Sequence, residues 1–262
     1  MLRALYTAAS GMEAQQLNID TIAHNLANIN TAGFKQRRTQ FQDLLYQNVR
    51  PAGAANTANT EIPVGLQIGL GTKAVTTQMI FTQGDFSATE SPLDMVIEGQ
   101  GFFQILTPNG ELAYTRCGNF HLNRDGSLVD GNGNMLDPQI TIPQDQIGII
   151  VGADGTVSVV QPGQTEPQQV GRIEIAAFQN PAGLQSMGKN LFKPSLASGD
   201  PITGTPGENG LGTLLSGFVE QSNVSVVEEM VNMIISQRAY EANSKVIRTA
   251  DEMITQANNV IR

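Results

Sequence analysis

Both ends of the chain repeat large apolar residues at intervals of seven, and this pattern limits the possible folds more than any other feature. Apolar residues at this spacing lie along one face of an α-helix. The pattern therefore predicts a helix of about 26 residues at the amino end and one of about 35 residues at the carboxyl end. The first row is Leu5, Met12, Ile19 and Leu26, and the second is Val226, Met233, Tyr240, Ile247, Ile254 and Ile261.

Heptads of this length favour an antiparallel coiled coil formed by the two ends; the alternative is two helices packed on the core of a single chain. A further row of the second helix holds Asn243, Ala250 and Ala257. A helix pair buries only one side of each apolar row, and an isolated helix is marginal in water. We therefore expect neighbouring copies of the chain to cover the other side, since contacts that do not close on themselves build helical filaments.

The residues next to the two helices carry stop and start signals. Gly33 ends the run Asn30-Thr31-Ala32-Gly33 and is expected to adopt the left-handed conformation that closes a helix. Glu229 lies in the first turn of the second helix, where the helix dipole favours a carboxylate. The candidate amino-terminal caps of that helix are Ser222, Asn223 and Ser225.

The middle of the chain carries the signals of short strands joined by tight turns. Asn-Gly or Asp-Gly pairs beside apolar runs are typical of hairpins, and they begin at Asn109, Asp125, Asp130 and Asp154. The runs include 102–106, 148–151 and 172–176. We predict an α+β fold in which long antiparallel coiled-coil helices from the two termini flank an inserted all-β outer domain. The predicted segments are a helical core of 1–33 and 224–262, an extended connecting segment or β-hairpin of 34–78 and 203–223, and the β domain of 79–202.

The charge balance excludes a nucleic-acid binder. The net charge is −9, whereas phosphate binding needs a basic face. Lys35, Arg37 and Arg38 form the densest basic cluster, and we expect it to be solvated or to face another subunit. No run approaches the roughly 18 apolar residues of a membrane span. The first residues lack the apolar region of a cleaved secretion signal, so we expect another export route if the chain leaves the cytoplasm.

The residue types that carry chemistry form no recognisable site. The two histidines and the single cysteine, Cys117, lack the spacing of a zinc site or of a Cys–His pair. Asp130 begins a run that imitates a calcium loop, but Met135 and Thr141 stand at its sixth and twelfth positions, where Gly and Glu are required. A hairpin turn is expected there instead. We expect no catalytic residue, no cofactor and no bound metal.

Segments along most of the chain resemble the flagellar rod and hook family. Residues 27–35 resemble its amino-terminal signature, and 222–231 with 237–245 resemble its carboxyl-terminal signature. Residues 99–103 (GQGFF) and 114–120 (YTRCGNF) resemble motifs of its middle region. The terminal motif residues that carry the match are Asn28, Asn30, Thr31, Gly33, Phe34, Arg238, Tyr240 and Asn243.

This resemblance implies a structural subunit of the flagellar basal body and not an enzyme. Members of the family pair their termini into an inner helical layer and carry β domains outside it. They pass through the flagellar type III export apparatus without a cleaved signal, and span the periplasm. The implied partners are further copies of the chain, proximal rod proteins, a hook or hook-junction protein, and the P and L rings around the rod. No nucleic acid and no membrane span are implied.

Residues 46–63 resemble a stretch that distal rod members carry after the first helix and hook members lack. The resemblance implies subunit contacts that make a hollow rod straight and rigid, so that it transmits motor torque to the hook. The segment is poor in apolar residues and loop-like in composition, and its marker residues are Tyr46, Pro51 and Pro63. The alternatives are a proximal rod or hook-type axial protein and, outside the family, a hydrolase or a secreted β-domain adhesin on a coiled-coil stalk.

Overall fold

The computed structural model describes residues 2–51, 55–57, 60–61, 64–163 and 166–260. Helix α1 spans Leu2–Ala27 and helix α2 spans Val226–Val260, with 26 and 35 residues. Strands fill the chain between them, so the predicted α+β fold with helical ends is confirmed. In chain order the strands are β1 (Arg37–Asp43), β2 (Tyr46–Arg50), β3 (Ala55–Thr57), β4 (Thr60–Glu61), β5 (Leu66–Gly69), β6 (Thr72–Met79), β7 (Phe86–Ala88), β8 (Met95–Glu98), β9 (Phe102–Leu106), β10 (Leu112–Thr115), β11 (Phe120–Leu122), β12 (Leu128–Asp130), β13 (Met135–Asp137), β14 (Gly148–Val151), β15 (Thr156–Val160), β16 (Gln168–Arg172), β17 (Ile175–Ala177), β18 (Gln185–Gly188), β19 (Leu191–Lys193), β20 (Ile202–Gly204), β21 (Thr213–Ser216) and β22 (Phe218–Glu220).

The chain divides into two compact units, which we call the terminal unit and the central unit. The terminal unit holds Met1–Leu26, Arg37–Gln78 and Ser225–Arg262, and the central unit holds Ala27–Gln36 and Met79–Val224. Residues 203–223, for which the sequence predicts a connecting segment, group with the central unit. Each unit therefore combines segments that lie far apart in the sequence.

The two helices end close to their predicted limits, with local differences. Helix α1 ends at Ala27, several residues before Gly33. Gly33 has the expected left-handed backbone, with φ 68°, but it belongs to the turn that follows the helix. Ser225 takes the position before α2, where its carbonyl oxygen accepts the N–H of Glu229 at 3.0 Å.

The segment after α1 forms a long antiparallel ribbon, which we call the arm. Strand β1 pairs with β6, β2 with β5, and β3 with β4. Strands β2, β3 and β4 lie within 46–63 despite its loop-like composition, in the stretch for which the sequence predicts an extended connecting segment or β-hairpin. A two-stranded ribbon needs backbone hydrogen bonds on one edge and no buried face, so polar residues such as Gln47 and Asn48 are compatible with it. Gln47 pairs with Ile68 and Asn48 with Gln67.

The central unit is built on a sheet of nine strands. Its main path runs β11-β12-β13-β9-β10-β19-β18, and β17 joins β9 to β20. All four predicted Asn-Gly and Asp-Gly turns connect paired strands, so these hairpins are confirmed: β9–β10, β11–β12, β12–β13 and β14–β15. The run that imitates a calcium loop is one of them. There Asp130 Oδ1 accepts the N–H groups of Asn132 and Asn134 at 2.8 and 2.9 Å.

Two adjacent phenylalanines of β9 anchor two apolar clusters of the central unit. Successive side chains of a strand point to opposite faces, so Phe102 and Phe103 enter different clusters. Phe103 packs edge-to-face on Phe120 with ring centroids 5.1 Å apart, and Phe102 packs on Phe178 at 5.7 Å. Complete burial of such a side chain is worth about 1.5–3 kcal/mol. Strand β9 therefore holds both faces of the sheet in place.

Candidate assembly surfaces

The two helices of the terminal unit meet at three residue pairs in a regular register, which we call the polar seam. The pairs are Gly11 with Asn243, Asn18 with Ser236, and Asn25 with Glu229. The amide nitrogen donates to its partner at 2.8 Å in the second pair and at 3.2 Å in the third. In the first pair, a Cβ on the glycine would lie 2.9 Å from the partner's amide nitrogen. The pairs are seven residues apart on both helices. Residue numbers rise along α1 while they fall along α2, so the helices run antiparallel.

The polar seam specifies one alignment of the helices. Asn25, Glu229 and Ser236 are buried, at 1%, 2% and 3% exposure. A buried polar group that loses its partner costs about 1–3 kcal/mol. Sliding one helix past the other would separate these partners, whereas apolar side chains would tolerate the shift. A polar residue inside a helix pair fixes register in the same way in coiled coils.

The predicted apolar rows lie beside the polar seam. Tyr240 is 39% exposed, and Ile261 lies outside the described residues. The coiled-coil packing of these rows, and their role in a filament core, stay predictions. Val226 is also exposed, at 43%, and the remaining described members are half-buried: Leu5, Met12, Ile19, Leu26, Met233, Ile247 and Ile254.

The first half of α2 presents a second apolar row, which we call the α2 patch. Its five members follow the spacing i, i+3, i+4, i+7, i+8 of one helix face. Each is at least half exposed, so the described residues of this chain leave the row largely uncovered. The predicted heptads missed this row although its spacing is readable from the sequence. Its members are Val227, Met230, Val231, Ile234 and Ile235.

Helix α1 holds the base of the arm through side chains. The Asn25 amide accepts the Arg37 N–H at 2.9 Å and donates to the Arg37 carbonyl oxygen at 2.8 Å. The hydroxyl groups of Thr21 and Thr39 lie 2.9 Å apart. Asn25 therefore binds both α2 and β1, so one side chain fixes the helix pair and the arm together.

Further along, the arm exposes large apolar side chains. In the described part of the chain, β2 pairs with β5 only, so each strand keeps a free edge that another chain can join. Pro51 is exposed, and Pro63 lies outside the described residues. The large apolar side chains that are at least half exposed here are Leu45, Tyr46, Val49, Val64 and Leu66.

The central unit contains a buried group of three charges, which we call the charged trio. Glu220, 1% exposed, accepts hydrogen bonds from Lys35 Nζ and Arg116 Nε, both at 2.6 Å. Lys35 also donates to the Thr82 carbonyl oxygen at 2.7 Å. The prediction that Lys35 lies in a solvated or subunit-facing patch is therefore wrong. Its side chain turns inward because a carboxylate and a carbonyl oxygen replace its water.

Arg116 connects the trio to the middle motifs. Its guanidinium donates to the carbonyl oxygens of Ile97, Gly99 and Gly101, at 2.7, 2.7 and 2.5 Å. The trio thus joins 27–35, 99–103 and 114–120, three segments that share the family resemblance, to β22. Burial alone would raise the pKa of Glu220, but the charges of Arg116 and Lys35 outweigh it and hold that pKa below its usual value. Burial lowers the pKa of Lys35, and the Glu220 charge only partly offsets this.

Asn223 and Gly33 make further hydrogen bonds beside the charged trio. The Asn223 side chain accepts the Gln36 N–H at 2.7 Å and donates to the Ile80 carbonyl oxygen at 2.9 Å, so this candidate cap does not serve the helix. Gly33 donates its N–H to the Glu220 carbonyl oxygen at 2.9 Å. A Cβ on Gly33 would lie 2.7 Å from the backbone nitrogen of Cys117, so the position requires glycine.

The other motif residues have local roles in the structure. Thr31 donates its hydroxyl to Asn28 Oδ1 at 3.2 Å and accepts the Phe34 N–H on its carbonyl oxygen at 3.2 Å. Asn30 is exposed. Arg238 forms an exposed ion pair with Glu241 at 3.1 Å, which contributes little to stability.

The residue types that bind metals or act as nucleophiles are not grouped in the described part of the chain. Within the described residues, no three His, Cys, Asp or Glu side chains are placed to hold a metal ion. Burial raises the pKa of the Cys117 thiol, which disfavours the reactive thiolate. Neither helix in the described part of the chain has a stretch long and apolar enough to cross a membrane.

Family profiles match the chain in three places. "Flagella basal body rod protein" matches residues 5–35, "Flagellar hook protein FlgE/F/G D1 domain" matches 96–159, and "Flagellar basal body rod FlgEFG protein C-terminal" matches 215–260. Helical ends around a β-rich middle, matched in this order, define an axial structural protein of the flagellum.

Full-length relatives specify the family. The "Flagellar basal-body rod protein FlgG" of Borreliella burgdorferi is 50% identical over 264 residues, and that of Caulobacter vibrioides is 48% identical over 262. The protein of the same description from Bacillus subtilis is 41% identical over 267 residues. Each alignment covers 100% of both chains. The chain belongs to the FlgG family of flagellar basal-body rod proteins, the structural subunits of the distal rod.

Proposed function

We propose that the chain polymerises through its terminal unit into a straight, rigid, hollow helical rod that transmits motor torque to the hook. The observation that carries this proposal is the α2 patch beside the polar seam. Polar contacts align the helices within one chain, and the apolar row stays free for neighbours. The relatives' description as basal-body rod proteins supports the same assembly.

The free energy available from the patch is sufficient to drive association. Complete burial of a Val, Ile or Met side chain is worth about 1.5–3 kcal/mol. The five patch residues are at least half exposed, so burying them against a neighbour would contribute on the order of 5 kcal/mol per copy. Because each copy meets more than one neighbour in a helical array, the apolar rows beside the seam, with Leu26 and Ile247, would add to this contribution.

The arm would supply the stiffness. A rod that turns inside fixed rings must resist sliding between its subunits. Free strand edges and exposed side chains such as Tyr46 and Val49 give the arm a surface that neighbouring copies can cover. Pro51 restricts the backbone at the end of β2, which lowers the entropy lost on docking.

The rod would span the periplasm and meet other flagellar parts there. We infer that the chain is exported by the flagellar type III apparatus. In this proposal it joins proximal rod proteins at one end and the hook or hook-junction protein at the other, with the P and L rings around it. A proximal rod or hook-type axial position is the alternative, and the full-length match to FlgG relatives favours the distal position.

Placing a charge in the α2 patch tests the proposal. Ile234→Asp should abolish rods seen by electron microscopy of the concentrated full-length protein, because a buried, unpaired carboxylate costs several kcal/mol (about 3–5) at each contact. Leu196→Asp makes the same charge change at a fully exposed apolar residue of the central unit, and should leave rod formation unchanged. Normal rods from Ile234→Asp would contradict the proposal.

A further inference from the structure

A small cavity of the central unit lies directly against the charged trio. Its volume is about 250 Å³. Lys35 and Arg116 line it together with Gly99 and Gly101, and Phe81, Phe102 and Phe178 contribute aromatic wall. The cavity therefore combines two buried cations with an apolar lining.

The charges at this cavity do not balance. Among the described residues, two cations share one carboxylate, Glu220, and all three side chains are almost completely buried. Four carbonyl oxygens accept the remaining hydrogen bonds, but they carry only partial charge. One unbalanced positive charge is thus buried beside the cavity, where it is poorly solvated. Burying such a charge costs free energy unless a counter-charge lies near it.

Each cation has an N–H group that makes no hydrogen bond to the described part of the chain. A lysine ammonium has three N–H donors, and an arginine has five. Within the described chain, Lys35 uses two donors, to Thr82 and Glu220. Arg116 donates four hydrogen bonds, one to Glu220 and three to carbonyl oxygens. An acceptor with a negative charge in the cavity would take the donors that remain.

We propose that this cavity binds a small anion of the carboxylate class, held by Lys35 and Arg116 and packed against the three phenylalanines. The anion is a free monocarboxylate or the carboxylate of a side chain from a second copy of the chain. The site goes beyond rod assembly as proposed above, because all its residues lie in the central unit and none belongs to the α2 patch or the arm.

Saturation-transfer NMR with acetate tests the site on the full-length protein. The carboxylate of acetate suits the two cations, and its methyl group suits the aromatic wall. We expect saturable transfer to the acetate methyl. Lys35→Met removes the excess charge and leaves Arg116 paired with Glu220, so it should weaken the apparent affinity at least tenfold. Lys189→Met, at an exposed lysine of the same unit, should change nothing.

A second variant avoids the risk that Lys35→Met does not fold. Gln100 lines the cavity and is exposed. Gln100→Glu places a carboxylate there, which should weaken acetate binding at least tenfold by repelling or replacing it. Gln185→Glu, at an exposed position of the same unit, is the matched control.

The same titration on assembled rods identifies the source of the anion. Acetate binding that disappears on assembly would assign the site to a neighbour's carboxylate, and binding that persists would assign it to a free anion. Transfer that does not saturate in the wild type, or that is equal in the wild type, Lys35→Met and Gln100→Glu, would overturn the proposal.

Discussion

Asn243 of α2 fills the space that a side chain at position 11 of α1 would occupy. A Cβ on Gly11 would come within 2.9 Å of Asn243 Nδ2, closer than real Cβ atoms approach. A glycine inside a helix costs about 1 kcal/mol relative to alanine. The close approach of the two helices at the polar seam offsets this cost.

Gly11→Ala should therefore change the stability of the helix pair in one background and leave it unchanged in another. In the wild type, the gain in helix propensity is cancelled by displacement of the Asn243 amide, so rods should gain no stability. In an Asn243→Ala background the space is free, and Gly11→Ala should stabilise the helix pair by about 1 kcal/mol. The critical concentration for polymerisation should then fall about fivefold. An equal fall in both backgrounds would mean that the two residues are not coupled.

The charged trio predicts that the central unit loses stability in acid. The pKa of Glu220 is 4.5 in its usual environment and is held lower in the folded chain. At a pH between the folded and the unfolded pKa, the unfolded chain therefore binds more protons than the folded chain. Stability therefore falls as the pH drops below about 4.5. Urea unfolding of the central unit, followed by circular dichroism between about pH 3 and 6, should show this fall.

Lys35→Met supplies the comparison for that titration. Losing one cation raises the pKa of Glu220 towards its unfolded value, so the acid-dependent loss of stability should become smaller. Lys189→Met makes the same charge change at an exposed site and should keep the wild-type pH dependence. Identical curves for wild type and Lys35→Met would show that Lys35 does not set the pKa of Glu220.

Shortening the arm should separate polymerisation from straightness. Leu44 already donates its N–H to the Gly71 carbonyl oxygen at 2.8 Å, so deleting 46–69 leaves two ends that a short turn can join. The deletion keeps α1, α2 and the pairing of β1 with β6. We expect the variant to polymerise and the product to curve, measured by electron microscopy. A straight product would mean that stiffness comes from the helices or the central unit.

The sequence predicted the helices and the hairpins because their signals are local. Apolar spacing and Asn-Gly or Asp-Gly pairs depend on neighbours in the chain, and the two helices and four hairpins that they predict were confirmed. The polar seam was missed, because Asn25 and Glu229 break the apolar pattern by which helix faces are recognised. The charged trio was missed for another reason: Lys35 and Glu220 are 185 residues apart, and single charges carry no pattern that pairs them.

The arm shows a third limit of sequence reasoning. Strands β2 and β5 are short and largely exposed, so no buried apolar face marks where each of them begins and ends. They pair because each satisfies the backbone of the other across a ribbon, from Tyr46 with Gly69 to Arg50 with Leu66. Only the pairing makes either segment a strand.

Amide hydrogen exchange before and after polymerisation tests the central claim most directly. If neighbours complete the burial of α1 and α2, then in a proven monomer exchange should be fast before about residue 30 and after about residue 225, and slow in the sheet of the central unit. In assembled rods, both helices should become protected while the central unit changes little. Slow exchange at both ends of the monomer, with no further protection on assembly, would contradict the account.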